Sequence, residues 1–293
     1  MSNERISPTA WLVAYERTLS DIPLSSEVFH ELDAIVRETR AASDVAGVDA
    51  LKAPAAAVVW EARYKLVNHL LQAHPVTQVL ELAAGFSPRG LNLAGDPSVT
   101  YVEMDLPGVI EDKQRIVDAL VADGAIPARP NFHLAVGDAL NLADLHAAAG
   151  YFADRPIAVV NEGLLHYLDH AQRAALAGHV RALLEQYGGV WITPDIDIQF
   201  RPGTDFGPAA GAVKERVAQV GALTGVDMLK NRFESEDAAR AFFEELGFQV
   251  ERHSFMEVAD QLVLPVKEPL AQMALEHGVA FVMRLAPHAP RQK

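Results

Sequence analysis

The chain has 293 residues, half of them hydrophobic, enough for one large α/β domain with additional helices. Its net charge is −14 with no block of lysine or arginine, which argues against a nucleic-acid partner because phosphate contacts need local positive charge. Cysteine is absent, which excludes disulfides, thiolate zinc sites and cysteine nucleophiles together.

The first residues, Met-Ser-Asn-Glu-Arg-Ile-Ser-Pro, hold no apolar signal core, and no apolar run approaches a membrane span, so a cytoplasmic location without membrane contact is the expectation. Trp11 to Leu19 and Ser26 to Thr39 carry apolar residues at helical spacing, and Ala55 to Ala73 reads as a longer helix with Pro75 just beyond it. Residues 1–75 are thus expected to form an N-terminal helical cap. Strands and helices then alternate from Val79. Val79 to Leu82 is a short apolar run broken at Gly85, and Val99 to Met104 is a second one ending in Asp105. A helix is expected from Leu106 to Asp123, then a short strand within Asn131 to Leu142, followed by Gly137-Asp138-Ala139. Pro156 to Val160 is continuously apolar, as suits a fully buried parallel strand. A helix over His170 to Tyr187, closed by Gly188-Gly189, leads to a fifth strand at Val190 to Thr193. An insertion near 200–231, with a glycine-rich loop Arg201 to Gly207 and a helix near Ala209 to Leu223, is placed to cover a substrate. Ala238 to Leu246 reads as a helix, and Phe248 to Phe255 and Val279 to Leu285 as the last strands. The expected fold is α/β, with a mostly parallel seven-stranded sheet over residues 76–293.

A buried strand, a glycine turn and a second strand ending in an acid form the arrangement by which a doubly wound sheet holds a nucleoside. The turn lets the ligand approach backbone, and the acid accepts hydrogen bonds from ribose hydroxyls. Dinucleotide binders want Gly-x-Gly-x-x-Gly here, but the glycines are only Gly85 and Gly90, with Ala83 at the first fingerprint position and Pro88 inside the turn. No P-loop occurs. The turn alone also suits a plain strand-to-helix connection in any α/β protein. Ligands of such sheets bind beyond the carboxyl ends of the strands, where Asp105, Asp138 and Glu162 all stand, so the three point to one crevice.

Three segments carry a resemblance. They are Glu81-x-x-x-Gly85-Phe86-x-x-Arg89, then Glu103-x-Asp-Leu-Pro-x-Val-Ile-x-x-Lys113, then Glu162-Gly-Leu-Leu-x-Tyr-Leu168. Together they resemble the leucine carboxyl methyltransferase family, which includes bacterial polyketide O-methyltransferases of the tetracenomycin type. The resemblance implies a class I (Rossmann-like) methyltransferase fold with S-adenosyl-L-methionine as cofactor. It implies that Glu81, Ala83 and Gly85 form the cofactor turn and that Asp105, followed by Leu106, binds ribose. By the same resemblance Asp138 contacts the adenine amine, Ala139 offers backbone to the ring, and Glu162 lies near the methionine end. Arg63 resembles the arginine that pairs with the cofactor carboxylate, a role suited to its planar fork; the plainer reading is a solvated helix residue. Ala83 stands where the family often has Gly, and Ser87-Pro88 where it often has Asp-Thr or Asp-Ser.

The implied chemistry is a displacement of an already activated methyl, in which the protein aligns the partners and excludes water. A carboxylate acceptor needs no base; a phenol or alcohol is helped by one, and His166 is the best-placed candidate. His166 equally suits a pocket-lining or capping role. Asp195 and Asp197 read either as solvated or capping acids or as oxygen ligands for Mg²⁺; no His-Glu-x-x-His or Gly-x-Ser-x-Gly motif occurs, and no metal is expected. The expected function is methyl transfer to an oxygen, carboxylate or hydroxyl, of a small-molecule acceptor. The alternatives are an NAD-dependent oxidoreductase and a non-catalytic descendant that keeps the cofactor site.

Overall fold

Seven short apolar runs pair into one sheet in the computed structural model, which describes residues 8–39, 54–199 and 225–287 together with 211, 214–215, 217–219 and 221. The strands are β1 (Gln78–Leu82), β2 (Thr100–Asp105), β3 (Phe132–Val136), β4 (Ile157–Asn161), β5 (Gly189–Thr193), β6 (Phe248–Ser254) and β7 (Val279–Leu285). Their order is β3-β2-β1-β4-β5-β7-β6. β1 to β5 are mutually parallel, and β7 enters antiparallel to both β5 and β6. The expected mostly parallel seven-stranded sheet is therefore present. Leu82 lies opposite Met104 on one side and Asn161 on the other, so the ends of β1, β2 and β4 come out side by side.

Side chains alternate across the sheet as the two-residue period requires. Leu80, Leu82, Val102, Met104, Val159 and Trp191 face one core. That core is closed by α6 (Leu142–Ala149), α7 (His170–Tyr187) and α8 (Glu236–Glu245). Val79, Tyr101, Ala158, Val160 and Ile192 face the other, against Ala62, Leu66, Val67 and Leu70 of α3 (Pro54–Ala73). With both faces covered, β1 and β4 are buried at every residue, which explains their unbroken apolar runs. A third core joins α1 (Pro8–Arg17) and α2 (Ser25–Thr39) to α5 (Pro107–Ala122) through Trp11, Val28, Leu32, Ile116 and Leu120. The helical segment expected over 1–75 thus divides. α3 is a layer of the sheet's own core, whereas α1 and α2 pack on α5.

Local chemistry sets the element ends. Asp169 caps α7 in a reciprocal capping box with Gln172. Gly189 follows with φ +109°, where a Cβ would fall 2.8 Å from the Ile157 backbone nitrogen, so only glycine can start β5 there. The sequence carries no expectation of helices α4 (Arg89–Leu93), α6 and α9 (Pro269–His277); α4 and α6, at five and eight residues, are too short for a helical period to stand out. Two 3₁₀ helices, Leu165–Tyr167 and Phe255–Gln261, likewise carry no periodic signal. The loop and most of the helix expected at 200–231 fall outside the described residues. Among the described residues, no helix is long and apolar enough to cross a membrane.

Candidate functional site

The connection leaving β1 turns through two left-handed residues, Ala83 with φ +51° and Gly85 with φ +53°. The turn directs the Gly85 N–H at Asp105, which ends β2: Gly85 N donates to Asp105 Oδ2 at 2.8 Å, and Leu106 N donates to Oδ1 at 2.7 Å. Burial raises the Asp105 carboxyl above the usual aspartate range, opposed by these two N–H groups. Gly137 N donates to the Asp105 carbonyl at 2.9 Å, which draws the end of β3 alongside. There Asp138 is exposed, its Oδ1 accepting from Leu140 N at 2.9 Å, while Ala139 is buried. Asp105, Leu106, Asp138 and Ala139 therefore lie just beyond the carboxyl ends of β2 and β3, with the Gly85 turn bonded to Asp105.

Gly90 has a different part. It sits in α4 where a Cβ would come within 2.7 Å of the Phe132 ring and 2.8 Å of the Tyr101 ring, so it is a packing glycine. Beneath the turn, buried Lys113 of α5 forms an ion pair with Glu103 and donates to the Ser87 carbonyl at 2.8 Å. Burial pushes the Glu103 carboxyl up to about 7, with the Lys113 ammonium opposing.

A buried charge cluster gathers around Glu81 and around Glu162, just past β4. Glu81 accepts from Arg89 and from the Tyr101 hydroxyl at 2.7 Å, so both of its oxygens are committed. Arg89 also donates to Glu162 Oε2 at 2.5 Å and lies over the Tyr64 ring, 4.7 Å from its centroid. Arg17, from α1, donates to Glu162 Oε1 at 2.9 Å, and Arg63 Nε stands 3.8 Å from the same oxygen. Burial alone would raise the Glu162 carboxyl, but Arg17, Arg89 and Arg63 outweigh it and bring it down to about 2. Nothing in the sequence marked Arg17: a basic residue in the last turn of a helix is ordinary dipole chemistry.

Arg63 is buried in α3, which removes the solvated reading. It donates to the Pro194 carbonyl at 3.1 Å and to Asp195, while its Nε has no hydrogen-bond acceptor among the described residues. Asp195 also accepts from the backbone of Gly163, Leu164 and Leu165 and from Asn161 Nδ2 at 2.7 Å, pinning the turn after β4. That turn presents His166, whose Nδ1 pairs with Asp197. His166 Nε2 lies 3.4 Å from Asp195 Oδ1 and 3.5 Å from Arg63 Nη2. Burial works against both aspartates' charge, yet His166 and the neighbouring arginines hold both below the usual range. Among the described residues, no group of three or more histidine or acid side chains is arranged to hold a metal ion. The structure thus brings His166, Arg63 and Glu162 together, and sets Asp105 and Asp138 along the same strand ends.

The profile of the leucine carboxyl methyltransferase family matches residues 25–181, more than half of the chain. A protein of Mycobacterium avium, provisionally named an S-adenosyl-L-methionine-dependent methyltransferase, is 28% identical over 204 residues, which is 70% of this chain and 59% of that protein. The chain therefore spans about three-fifths of the length of this relative. A Streptomyces coelicolor protein with the same provisional name is 32% identical over 108 residues, covering 37% of this chain and 35% of its own. Among solved structures, a DUF574 family protein from Streptomyces avermitilis superimposes with a TM-score of 0.55 at 19% identity, over 97% of this chain and all of that one, a likeness of fold.

Proposed function

The chain belongs to the leucine carboxyl methyltransferase family, and from that premise we propose that it transfers a methyl group from S-adenosyl-L-methionine to an oxygen of a small-molecule acceptor. The observation that carries the reading is Asp105, fixed at the end of β2 by the Gly85 and Leu106 N–H groups. Held this way, its carboxylate has lone pairs left to accept from both ribose hydroxyls. The same bond supports a nucleoside without phosphate: the Gly85 N–H already has an anionic acceptor, so a pyrophosphate there would meet a carboxylate in place of a free donor.

The remaining residues fit the cofactor's other groups. Asp138, exposed beyond β3, is placed to accept from an adenine amine, with Ala139 and Leu140 beside the ring. The orphaned Nε of Arg63 is a buried donor suited to the methionine carboxylate. Glu162 and Glu81 hold Arg17 and Arg89 in place and act through them, since both carboxylates are buried against those guanidiniums. When bound, the cofactor supplies a methyl activated by its positively charged sulfur. The chain orients the donor and excludes water through the buried wall of α1, α3 and the turn after β4. A carboxylate acceptor arrives ionised and asks nothing of His166. For a hydroxyl acceptor, His166 takes the proton at Nε2 while Asp197 holds Nδ1. The acceptor classes in this reading are a carboxylate and a hydroxyl, polyketide-like hydroxyls included, and the acidic net charge supports a small molecule over a nucleic acid.

A thermal melt titrated separately with S-adenosylmethionine, its demethylated product and NAD tests the proposal. A ligand at about a hundred times its dissociation constant stabilises by roughly 2.7 kcal/mol. The two methionine-derived ligands are expected to raise the midpoint by several degrees and NAD to leave it in place. A shift with NAD alone would overturn the reading.

A further inference from the structure

Away from the candidate site, a cleft of ≈ 390 Å³ opens between α5 and β3. Leu91, Val117, Val121, Ile126, Phe132 and Leu134 form its apolar wall. The volume is that of a small-ligand site. Phe132 begins β3, so the cleft lies toward the amino ends of the strands, whereas Asp105 and Asp138 stand at their carboxyl ends.

Arg129 lines the same cleft. Its Nε and Nη1 are buried without a hydrogen-bond acceptor among the described residues. Burial lowers its guanidinium below the usual arginine value, with no carboxylate opposing the shift. An unsatisfied buried donor is costly, more so when charged, and arginines in that state are normally paired. Gln114 and Asp118 form the exposed rim, but Gln114 Nε2 donates to Asp118 Oδ1 at 2.8 Å, so the rim satisfies itself.

We propose that this cleft binds a small amphiphilic monocarboxylate. Its apolar body lies against Val117, Val121 and Phe132, and its carboxylate draws the Arg129 guanidinium, whose Nε and Nη1 are otherwise closed to solvent, round to meet it with its planar fork. A monoanion is favoured over a phosphate dianion because one arginine shares the cleft with Asp118 on a chain of net charge −14. This site is independent of the methyl-transfer reading.

Octanoate is a direct probe, with octanol as its uncharged control, in calorimetric titrations of the full chain. Octanoate is expected to bind once per chain, and octanol about tenfold more weakly or worse. Arg129→Gln should weaken octanoate by about tenfold or more while leaving octanol unchanged. Val117→Trp, which fills the cleft, should abolish binding of both. An unaltered melting midpoint in Arg129→Gln separates loss of the site from loss of the fold, so that variant decides the matter even if Val117→Trp misfolds. Equal octanoate affinity in wild type and Arg129→Gln, equal affinity for octanol and octanoate, or no binding of octanoate at millimolar concentration would each overturn the proposal.

Discussion

Replacing Glu162 by glutamine is the sharpest test of the buried charge cluster. The side chain is 2% exposed and receives Arg17 at 2.9 Å and Arg89 at 2.5 Å, with Arg63 3.8 Å away. Glutamine keeps the shape but turns an NH₂ toward one guanidinium and removes the charge that all three share. Breaking a buried pair in this way costs about 3–5 kcal/mol, because Arg17 stays buried with no other carboxylate among the described residues, while Arg89 keeps Glu81 and Arg63 keeps Asp195. An independent route gives a similar size. The Glu162 carboxyl falls from its ordinary 4.5 to about 2, and at about 1.4 kcal/mol per unit that is roughly 3 kcal/mol. The folded-state value is depressed, so this stability is fully present above pH 4.5 and is lost as pH falls toward about 2. Urea unfolding followed by tryptophan fluorescence, run from neutral pH downward, reads both quantities. Wild type should exceed Glu162→Gln by about 3 kcal/mol at neutral pH, with the gap closing in acid. A gap below about 1 kcal/mol, or one that does not change with pH, would refute the reasoning.

Ala83→Gly should stabilise by up to about 1 kcal/mol, because alanine at φ +51° is strained and glycine is not, less the entropy glycine adds to the unfolded chain. Its neighbour Ala84→Gly, buried and without a positive φ, should instead destabilise by about 1 kcal/mol; equal losses in urea unfolding would show that Ala83 carries no strain. Asp105→Asn should weaken the demethylated cofactor product by about a hundredfold in calorimetry, through two charge-assisted hydrogen bonds to ribose, and a change within about threefold would remove Asp105 from the site. Lys113→Met strands the Glu103 carboxyl and should cost about 3–5 kcal/mol, with Lys113→Met/Glu103→Gln recovering part of it; strictly additive losses would mean that the pair does not interact.

The fold was legible because its cues are local. Continuous apolar runs such as Ile157 to Val160 reveal strands covered on both faces, and Gly188-Gly189 marks the end of α7 where backbone demands it. Asp105 was legible for the same reason: a carboxylate at the end of a strand that follows a glycine turn lies at a fixed place in such a sheet. Short helices such as α4 and α6 were not, since five or eight residues give too few turns for a period.

Sequence by itself determined the strand count, the parallel run from β1 to β5 and the strand ends where the site residues stand, because each depends on neighbours along the chain. Only the tertiary structure decided what those residues touch. Arg17 reaches Glu162 from 145 residues away, and Arg63 reaches Asp195 from 132. It also decided that Glu81 serves Arg89, that Ala83 is held left-handed and that Arg129 lines a cleft with its Nε and Nη1 unpaired among the described residues. Charge pairing, backbone strain and desolvation depend on what surrounds a group in space, and spacing along the chain carries no record of that.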